Sequence, residues 1–454
     1  MSLPTYREYQ DSGVAWLGRV PATWSLAKLK HVARFSGGGT PNRENADYWG
    51  GDIPWVSPKD MKTEEISGSE ERITEAGLEG SATSLVPPGR VLMVVRSGIL
   101  KHTIPVAINR VDVALNQDMK ALDFDQVKCN GKFFLRWTQG LNGQLLLAWA
   151  KQGATVESIE HQYLAETIIP LPPLSEQTTI VDFLDHEVGK IDALIAEQET
   201  LLTLLAEKRQ ATISHAVTRG LNPDARMKDS GMAWLGEVPA HWGVKKVGYD
   251  CNVLSGFAFP SAGFSLDDAD VKLLRGVNVG VGTLRWSDVV YWNRVANDGL
   301  EAFELRPGDI VLGMDRPWIS EGLRVARVSE NDTPSLLLQR VATIRPNSKL
   351  NADYLYHLFR AGYFFHHCAP EMTGVSVPHI SPEQIRSFVV PVPPVDEQSD
   401  IAAFIEAECM KLDALDVEGR HSIDLLKERR SALIAAAVTG KIDVRNALPA
   451  ELAA

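Results

Sequence analysis

The chain has 454 residues, 44% of them hydrophobic, and a formal net charge of −12 at pH 7. Its length exceeds one ordinary core and predicts about three domains. No apolar run approaches the ~20 residues that span a bilayer, and the polar opening "MSLPTYREYQ" lacks a signal peptide's apolar stretch. Membrane and secreted classes are therefore set aside, and a cytoplasmic location is expected.

Cys129, Cys251, Cys368 and Cys409 lie far apart and form no CxxC pair. Free thiols are expected, with no disulfide framework and no zinc site. Overall acidity argues against a general DNA binder, which carries excess Lys and Arg. The distribution is more informative. Net charge is −1 over 1–174, −3 over 175–228, −3 over 229–395 and −5 over 396–454. The two large blocks are near neutral, which leaves room for a basic face on each.

The chain opens with "DSGVAWLGRVPATW" (Asp11–Trp24), and "DSGMAWLGEVPAHW" (Asp229–Trp242) repeats it at 11 of 14 positions. "FSGGGTP" at Phe35 is answered by "LSGFAFP" at Leu254, an offset of 219. "LVPPGRVL" at Leu85 is echoed by "ELRPGDIVL" at Glu304. "GATVESI" from Gly153 parallels "GVSVPHI" from Gly374. "PLPPLSEQ" at Pro170 and "KIDALIAEQ" at Lys190 meet "PVPPVDEQ" at Pro391 and "KLDALDVEG" at Lys411, both at 221. This is one tandem duplication. The frame is shared, while the middles, 42–152 against 261–373, have diverged.

Each block reads as α+β. The strand-like runs are "GRVLMVVRS" and "TIPVAI" in the first, and "GDIVLGM", "LRVARVS" and "RVATIRP" in the second. "GKFFLRWTQGLNGQLLLAWAKQ" and "NADYLYHLFRAGYFFHHC" read as helical. After each block comes a long helix. Leu184, Val188, Ile191, Ile195, Leu202 and Leu205 form a heptad-like seam. Ile405, Cys409, Leu412, Asp416, Gly419, Ile423 and Leu426 repeat it. Ser175 and Asp396 are expected N-caps, and Gly220 and Gly440 are expected stops. Two unconnected surface helices would also satisfy the pattern. Matched seams favour an antiparallel pair with pseudo-twofold symmetry.

The expected organisation is a first globular domain over 1–174 and a first long helix over 175–220. A short linker and second globular domain follow over 221–395, then a second helix over 396–441 and a tail over 442–454. The expected fold is a duplicated α+β domain, each copy followed by a long helix, with the helices in an antiparallel coiled coil. Leu184, Ile191, Leu202, Leu205, Ile405, Leu412, Ile423 and Leu426 are the expected helix-pair interface.

Catalytic signatures are missing. "SGGGTP" lacks the GK[ST] of a phosphate loop and reads as a turn. The sequence has no GxSxG, HExxH or CxxC, and no acidic-Pro-Pro-aromatic tetrad of an amino-methyltransferase. The run His366–Cys368 has no second ligand pair, so no metal site is expected. The positive signals are polar. Arg96, Lys101, His102 and Arg110 flank a loop after a predicted strand, and Asn116 and Gln117 follow. In the second block Arg316, Arg324 and Arg327 take the matching place, with Gln339 and Arg340 matching Gln117 and Asp118. Arg pairs with guanine, and Asn or Gln with adenine, by two parallel hydrogen bonds. Lys59, Lys62, Arg275 and Arg294 are candidate phosphate contacts. Each of these charges taken alone also fits a solvated surface residue. Trp16, Trp24, Trp234 and Trp242 fit base stacking, but pinning each block onto its core or the helix ends is the preferred role.

These residues resemble a known family. The doubled opening phrase, "GGGTPNRENADYWGGDIPWVSPKDM", "SGFAFPSAGF" with "LLRGVNVGVGTLRW", and the doubled "PLPPLSEQ" and "PVPPVDEQ" are similar to the specificity subunit of Type I restriction–modification systems. The resemblance covers nearly the whole chain. It implies two target-recognition domains on double-stranded DNA, each reading one half of a bipartite sequence. It implies helices that set the spacer and dock two methyltransferase subunits, with restriction subunits joining that core. S-adenosylmethionine, ATP and Mg would belong to those partners, leaving this chain without cofactor or catalysis. The rival readings are an interaction scaffold without DNA specificity and an enzyme with an unrecognised site.

Overall fold

The computed structural model describes residues 3–151, 153, 155–372 and 378–447. Ala154, the Gly374–Val377 part of the aligned repeat and residues 448–454 of the expected tail lie outside the described residues. The chain divides into two compact units, residues 1–199 with 421–454, and residues 200–420. This differs from a division at the helix boundaries. Each unit takes part of each long helix, whose apolar residues join its core.

In unit one, a sheet orders the strands Ala33–Gly37, Met119–Phe124, Val91–Val94, Val106–Asn109 and Glu65–Ile66. A smaller sheet orders Ala114–Leu115, Trp49–Val56 and Glu71–Ile73. In unit two, Cys251–Ser255, Val341–Pro346, Ile310–Gly313 and Val325–Arg327 form the larger sheet. Tyr291–Trp292, Val271–Leu274 and Ser335–Leu337 form the smaller one. The β-branched runs predicted as strands lie in the larger sheets, where Val91–Val94 and Ile310–Gly313 occupy interior positions and are buried throughout. Such fully buried runs suit strands covered on both faces. The predicted helical stretches form Gly131–Gly140 and Asn142–Trp149, and Ala352–Arg360 and Tyr363–Met372. Asn130 and Asn351 cap the first helix of each pair, their side chains accepting from backbone N–H groups two or three residues on.

The long helices run Leu174–Arg219 and Val395–Val438. Both begin one residue before the expected caps. Gln177 N donates to Pro173 O at 2.9 Å and Gln398 N to Pro394 O at 3.0 Å, so Ser175 and Asp396 lie inside the first turn. Gly220 and Gly440 follow the helix ends at φ of +73° and +70°, where a side chain would be strained. The seam is buried as the heptads require. Leu184, Val188, Ile191, Leu205, Ile405, Cys409, Leu412 and Ile423 are buried, and Leu202 and Leu426 are half-buried. Within each unit the helix halves run antiparallel and share one core. In unit one Ile180, Leu184 and Val188 pack with Ile434, Ala437 and Val438. In unit two Ile213, Ala216 and Val217 pack with Ile401, Ala402 and Ile405. One cross-helix ion pair recurs at the repeat offset: Arg430 meets Asp192 at 2.8 Å in unit one, and Arg209 meets Asp413 in unit two.

The duplicated phrase closes each unit at a helix start. Trp24 Nε1 donates to Glu176 Oε1 at 2.9 Å, and Trp242 Nε1 donates to Glu397 Oε1 at 3.1 Å. The next residue is a second latch. Gln177 accepts from Asn130 N at 2.8 Å and donates to Lys128 O and Pro172 O. Gln398 does the same with Asn351 N, Lys349 O and Pro393 O. The end of the other helix completes the joint. A Cβ on Gly440 would meet Trp24 Cη2 at 3.1 Å, and one on Gly220 would meet Trp242 Cζ2 at 3.1 Å. Trp16 packs beside Trp137, and Trp234 stacks on Phe388. Trp24 and Trp242 are thus buried pins, and Trp16 and Trp234 are half-buried against the same cores.

One internal position separates the units chemically. Arg136 in unit one is nearly buried and ion-pairs with Asp185 at 2.6 Å and Glu64 at 2.7 Å. Its repeat partner is His357, 2% exposed, with neither ring nitrogen bonded among the described residues. Glu406, the counterpart of Asp185, pairs instead with Arg327 from the sheet at 2.6 Å. Burial, with Arg360 and Arg327 nearby, pulls the His357 pKa down to about 3.

Two predictions follow from these contacts. Trp24→Phe and Trp242→Phe each remove the donor to a carboxylate at a helix start. A loss of ~1.5–3 kcal/mol is expected, read as a lower denaturant midpoint for the unit concerned. For His357 the folded pKa lies below the unfolded value of ~6.5. The unfolded chain therefore binds the extra proton between those values, so stability is full above pH ~6.5 and falls as pH drops. The slope is up to ~1.4 kcal/mol per pH unit. Melting scans from pH 7 to 5 should show this slope, and His357→Gln should flatten it.

Candidate nucleic-acid interface

In unit one several loops leave the sheets on one edge. They follow the strands ending at Gly37, Val56, Val94 and Leu115. Backbone bonds tie them together. Gly39 N donates to Leu115 O at 2.9 Å, Asn116 N to Val56 O at 3.0 Å and Val95 N to Asp118 O at 2.8 Å. Residues 157–159 join the row, with Ser97 N donating to Glu157 O at 3.0 Å and Ile159 N to Val95 O at 2.8 Å.

Unit two builds the same edge with the same bonds. Phe257 N donates to Leu337 O at 3.0 Å, Leu338 N to Leu274 O at 3.1 Å and Met314 N to Arg340 O at 2.9 Å. Arg316 N donates to Pro378 O at 2.9 Å and Ile380 N to Met314 O at 3.0 Å. The match corrects the sequence alignment by one residue. Gly256 occupies the place of Gly38 and not of Gly37, because a Cβ on either would collide with the backbone at Leu115–Asn116 or Leu337–Leu338. The retained glycine thus marks a close approach of two backbone segments, beyond the turn read from sequence.

On this frame the side chains differ. In unit one the exposed edge residues include Lys59, Lys62, Arg96, Lys101, His102 and Gln117. Lys62 pairs with Glu70 at 3.0 Å and Lys101 with Glu157 at 3.3 Å, all four exposed. Such surface pairs are worth ~0–1 kcal/mol and exchange readily for a phosphate. Asn116 is buried, and its side chain accepts from Asp118 N at 2.9 Å, so it shapes the turn and presents no edge to a base. Arg110 is tied to Glu65 away from this row. Behind the row, burial lowers the pKa of Lys120, and burial with Lys120 lowers that of His161.

In unit two Arg316, Gln339 and Arg340 are exposed on the edge. Three other predicted contacts are half-buried and already paired within the unit. Arg324 donates to Val279 O at 2.9 Å and Asp315 O at 3.0 Å, bracing the loop from beneath. Arg275 holds Asp288 through its carbonyl at 2.7 Å and its carboxylate at 2.8 Å. Arg294 clamps Asp298 at 2.6 Å and Glu304 at 2.8 Å. Each spends its donors inside the fold, which a count of charges along the sequence does not reveal.

Several edge residues escaped the sequence reading. Arg43 lies over Trp49 at 4.2 Å and Trp55 at 5.1 Å and pairs with Glu71. Phe257, 40% exposed, stands where unit one has Gly39. Asp315 stands where unit one has Arg96, and Arg340 where it has Asp118. The match of Arg340 to Asp118 is legible at an offset of 222, and counting at 219 adds that of Asp315 to Arg96. Among the described residues, non-glycine positive φ occurs at Asn297 (+62°), Arg316 (+45°) and Arg340 (+70°). Two of these lie on this edge. Such backbone costs on the order of 1–3 kcal/mol and clusters where function requires it.

Elsewhere the candidates are weaker. A cleft of about 430 Å³ in unit two is lined by Arg209, Arg285, Arg360 and Arg420, but ion pairs to Asp413 and Asp416 engage two of them. No group of three potential metal ligands occurs among the described residues, and no helix there is long and apolar enough to cross a membrane. His367 bonds Gln384 O and Ser387 Oγ, both at 3.1 Å.

The chain matches known proteins throughout. A family model described as Type I restriction modification DNA specificity domain matches residues 21–203 and 294–411. The Type I restriction enzyme EcoR124I/EcoR124II specificity subunit of Escherichia coli is 37% identical over 158 residues, 35% of this chain and 39% of that protein. The Type I restriction enzyme MjaVIII specificity subunit of Methanocaldococcus jannaschii is 24% identical over 439 residues, 94% of this chain and 95% of that one. Among solved structures, a chain from a study of assembly and conformational transition of the type I R-M system superposes with a TM-score of 0.65 at 17% identity. It covers 92% of this chain and 98% of that one. The HsdS subunit from Thermoanaerobacter tengcongensis gives 0.50 at 16% identity, over 93% and 98%. At these identities the structures speak for the fold, and the family model, which spans more than half of the chain, speaks for descent. The chain belongs to the Type I restriction–modification DNA specificity family.

Proposed function

We propose that this chain is the sequence-reading subunit of a Type I restriction–modification complex. Each unit's loop edge reads one half of an asymmetric bipartite target in double-stranded DNA. The observation that carries this is the doubled edge: one backbone frame, built twice, presents unlike polar side chains. A frame held constant while its exposed residues differ suits two readers of two different half-sites. Exposed lysines at the margin supply the phosphate contacts that position, and the central Arg and Gln side chains supply base contacts. The long helices act as the spacer and as the docking surface for two methyltransferase subunits, and restriction subunits join them. Methyl transfer from S-adenosylmethionine and ATP- and Mg-dependent cleavage reside in those partners. The assembly works in the cytoplasm.

The deciding experiment exchanges residues 42–152 for those of a relative and maps adenine methylation in cells that also carry the methyltransferase subunit. One half-site should change and the other stay. A change in both halves, or in neither, would refute the two-reader arrangement. A non-reading scaffold would show no motif at all.

The helices supply a second test. A helix rises ~1.5 Å per residue, so removing seven residues from each shortens the rod by ~10 Å. At ~3.4 Å per base pair that is about three base pairs of DNA. Deletion of one heptad from each helix should shorten the preferred spacer, or stop assembly, while both half-site sequences remain. An unchanged spacer with full activity would exclude the ruler role.

A further inference from the structure

In unit two the edge carries a built side-chain cluster that unit one lacks. Asp315 Oδ1 lies 2.8 Å from His379 Nδ1 and 3.6 Å from Arg340 Nη1. All three side chains are exposed at 41% to 57%. Bonds to the backbone hold every member: Met314 N donates to Arg340 O, Asp315 and His379 form an isolated bridge, and the Arg324 side chain donates through Nη1 to Asp315 O. Arg340 is held in the left-handed region at φ +70°. Unit one has Arg96, Asp118 and Ser158 at these places, and its Arg96 is not ion-paired to Asp118 among the described pairs.

We propose that Arg340, oriented by the Asp315–His379 pair, is the residue with which the second domain reads a guanine. The inference rests on the DNA-reading role proposed above. The chemistry is as follows. A guanidinium is a planar fork that matches guanine O6 and N7. Its side chain is long, and fixing it costs ~1.5–2 kcal/mol of rotamer entropy. Asp315, 3.6 Å from one nitrogen, offsets part of that cost by an ion pair worth ~0–1 kcal/mol, and His379 in turn lies 2.8 Å from Asp315. The free nitrogens of the fork then point into solvent, where a major-groove edge would come. The carboxylate beside the fork can accept from the paired cytosine N4, so the cluster as a whole suits a G·C pair. A phosphate contact would need no such buttress and no strained backbone.

The test uses the full chain in complex with its methyltransferase subunits. The wild-type motif is first established by methylation mapping, and affinity is then measured on duplexes carrying each base pair at each position of the second half-site. Arg340→Gln should cut the preference for guanine at one position by about 10- to 100-fold and leave the first half-site untouched. Arg340→Lys should relax the same position, since Lys keeps the charge but loses the fork. Asp315→Asn should relax it less. Copurification with the methyltransferase subunit confirms that each variant is folded. If Arg340→Gln weakens all duplexes equally and flattens the salt dependence by about one counterion, Arg340 is a phosphate contact and the proposal is overturned. Unchanged preference at every position overturns it too. If the wild-type complex itself shows no bipartite motif, it is the reading role that fails.

Discussion

The structure depends on a hydrogen bond from an indole to a carboxylate at the first turn of a long helix. Glu176 is buried, and its charge sits where the helix dipole and free N–H groups favour an anion. Trp24 and Tyr6 both donate to it, Tyr6 at 2.6 Å, and burial with this bond pushes the phenol's pKa up. In unit two Trp242 repeats the bond while His241 lies 2.8 Å from the second carboxylate oxygen of Glu397. This single joint sets the angle at which the chain enters each domain. It also receives the end of the other helix, since Tyr9 donates to Gly440 O at 3.0 Å. The position of the sheets, and so of the loop edge, follows from it.

Much of the frame was legible in sequence because its causes are local or repeated. The heptad seam, the stop glycines and the β-branched runs each impose a period or a break that can be counted. At the helix starts Ser175 and Asp396 were the expected caps, whereas the bonds are made by Glu176 with Gln177 and by Glu397 with Gln398. The edge was legible only in part. Lys59, Arg96, Gln117, Arg316 and Arg340 are exposed on the loop edge. Arg275, Arg294 and Arg324 already have acceptors within unit two, supplied by Asp288, by Asp298 with Glu304, and by Val279 O with Asp315 O. The exchange of Arg136 for His357 was likewise silent, because its meaning depends on Arg327 arriving from another strand.

The two units divide constancy and variation along a physical line. Backbone-to-backbone bonds and buried latches place the loops, and neither depends on the identity of an exposed side chain. Residues on the edge can then change at little cost in stability, as surface substitutions generally do. The inverted charges at Arg96 and Asp315, and at Asp118 and Arg340, illustrate this. The same frame tolerates both signs because the groups face water.

Unit one draws on both ends of the chain. Asp443 N bonds Pro4 O at 2.7 Å, and Ile434, Ala437, Val438 and Val444 belong to its core. Unit two is continuous in sequence from 200 to 420. During synthesis, which proceeds at roughly 5–20 residues per second, the order of completion is therefore inverted. The domain translated second can close first. The domain translated first keeps part of its apolar surface uncovered until Ile434, Ala437, Val438 and Val444 have left the ribosome.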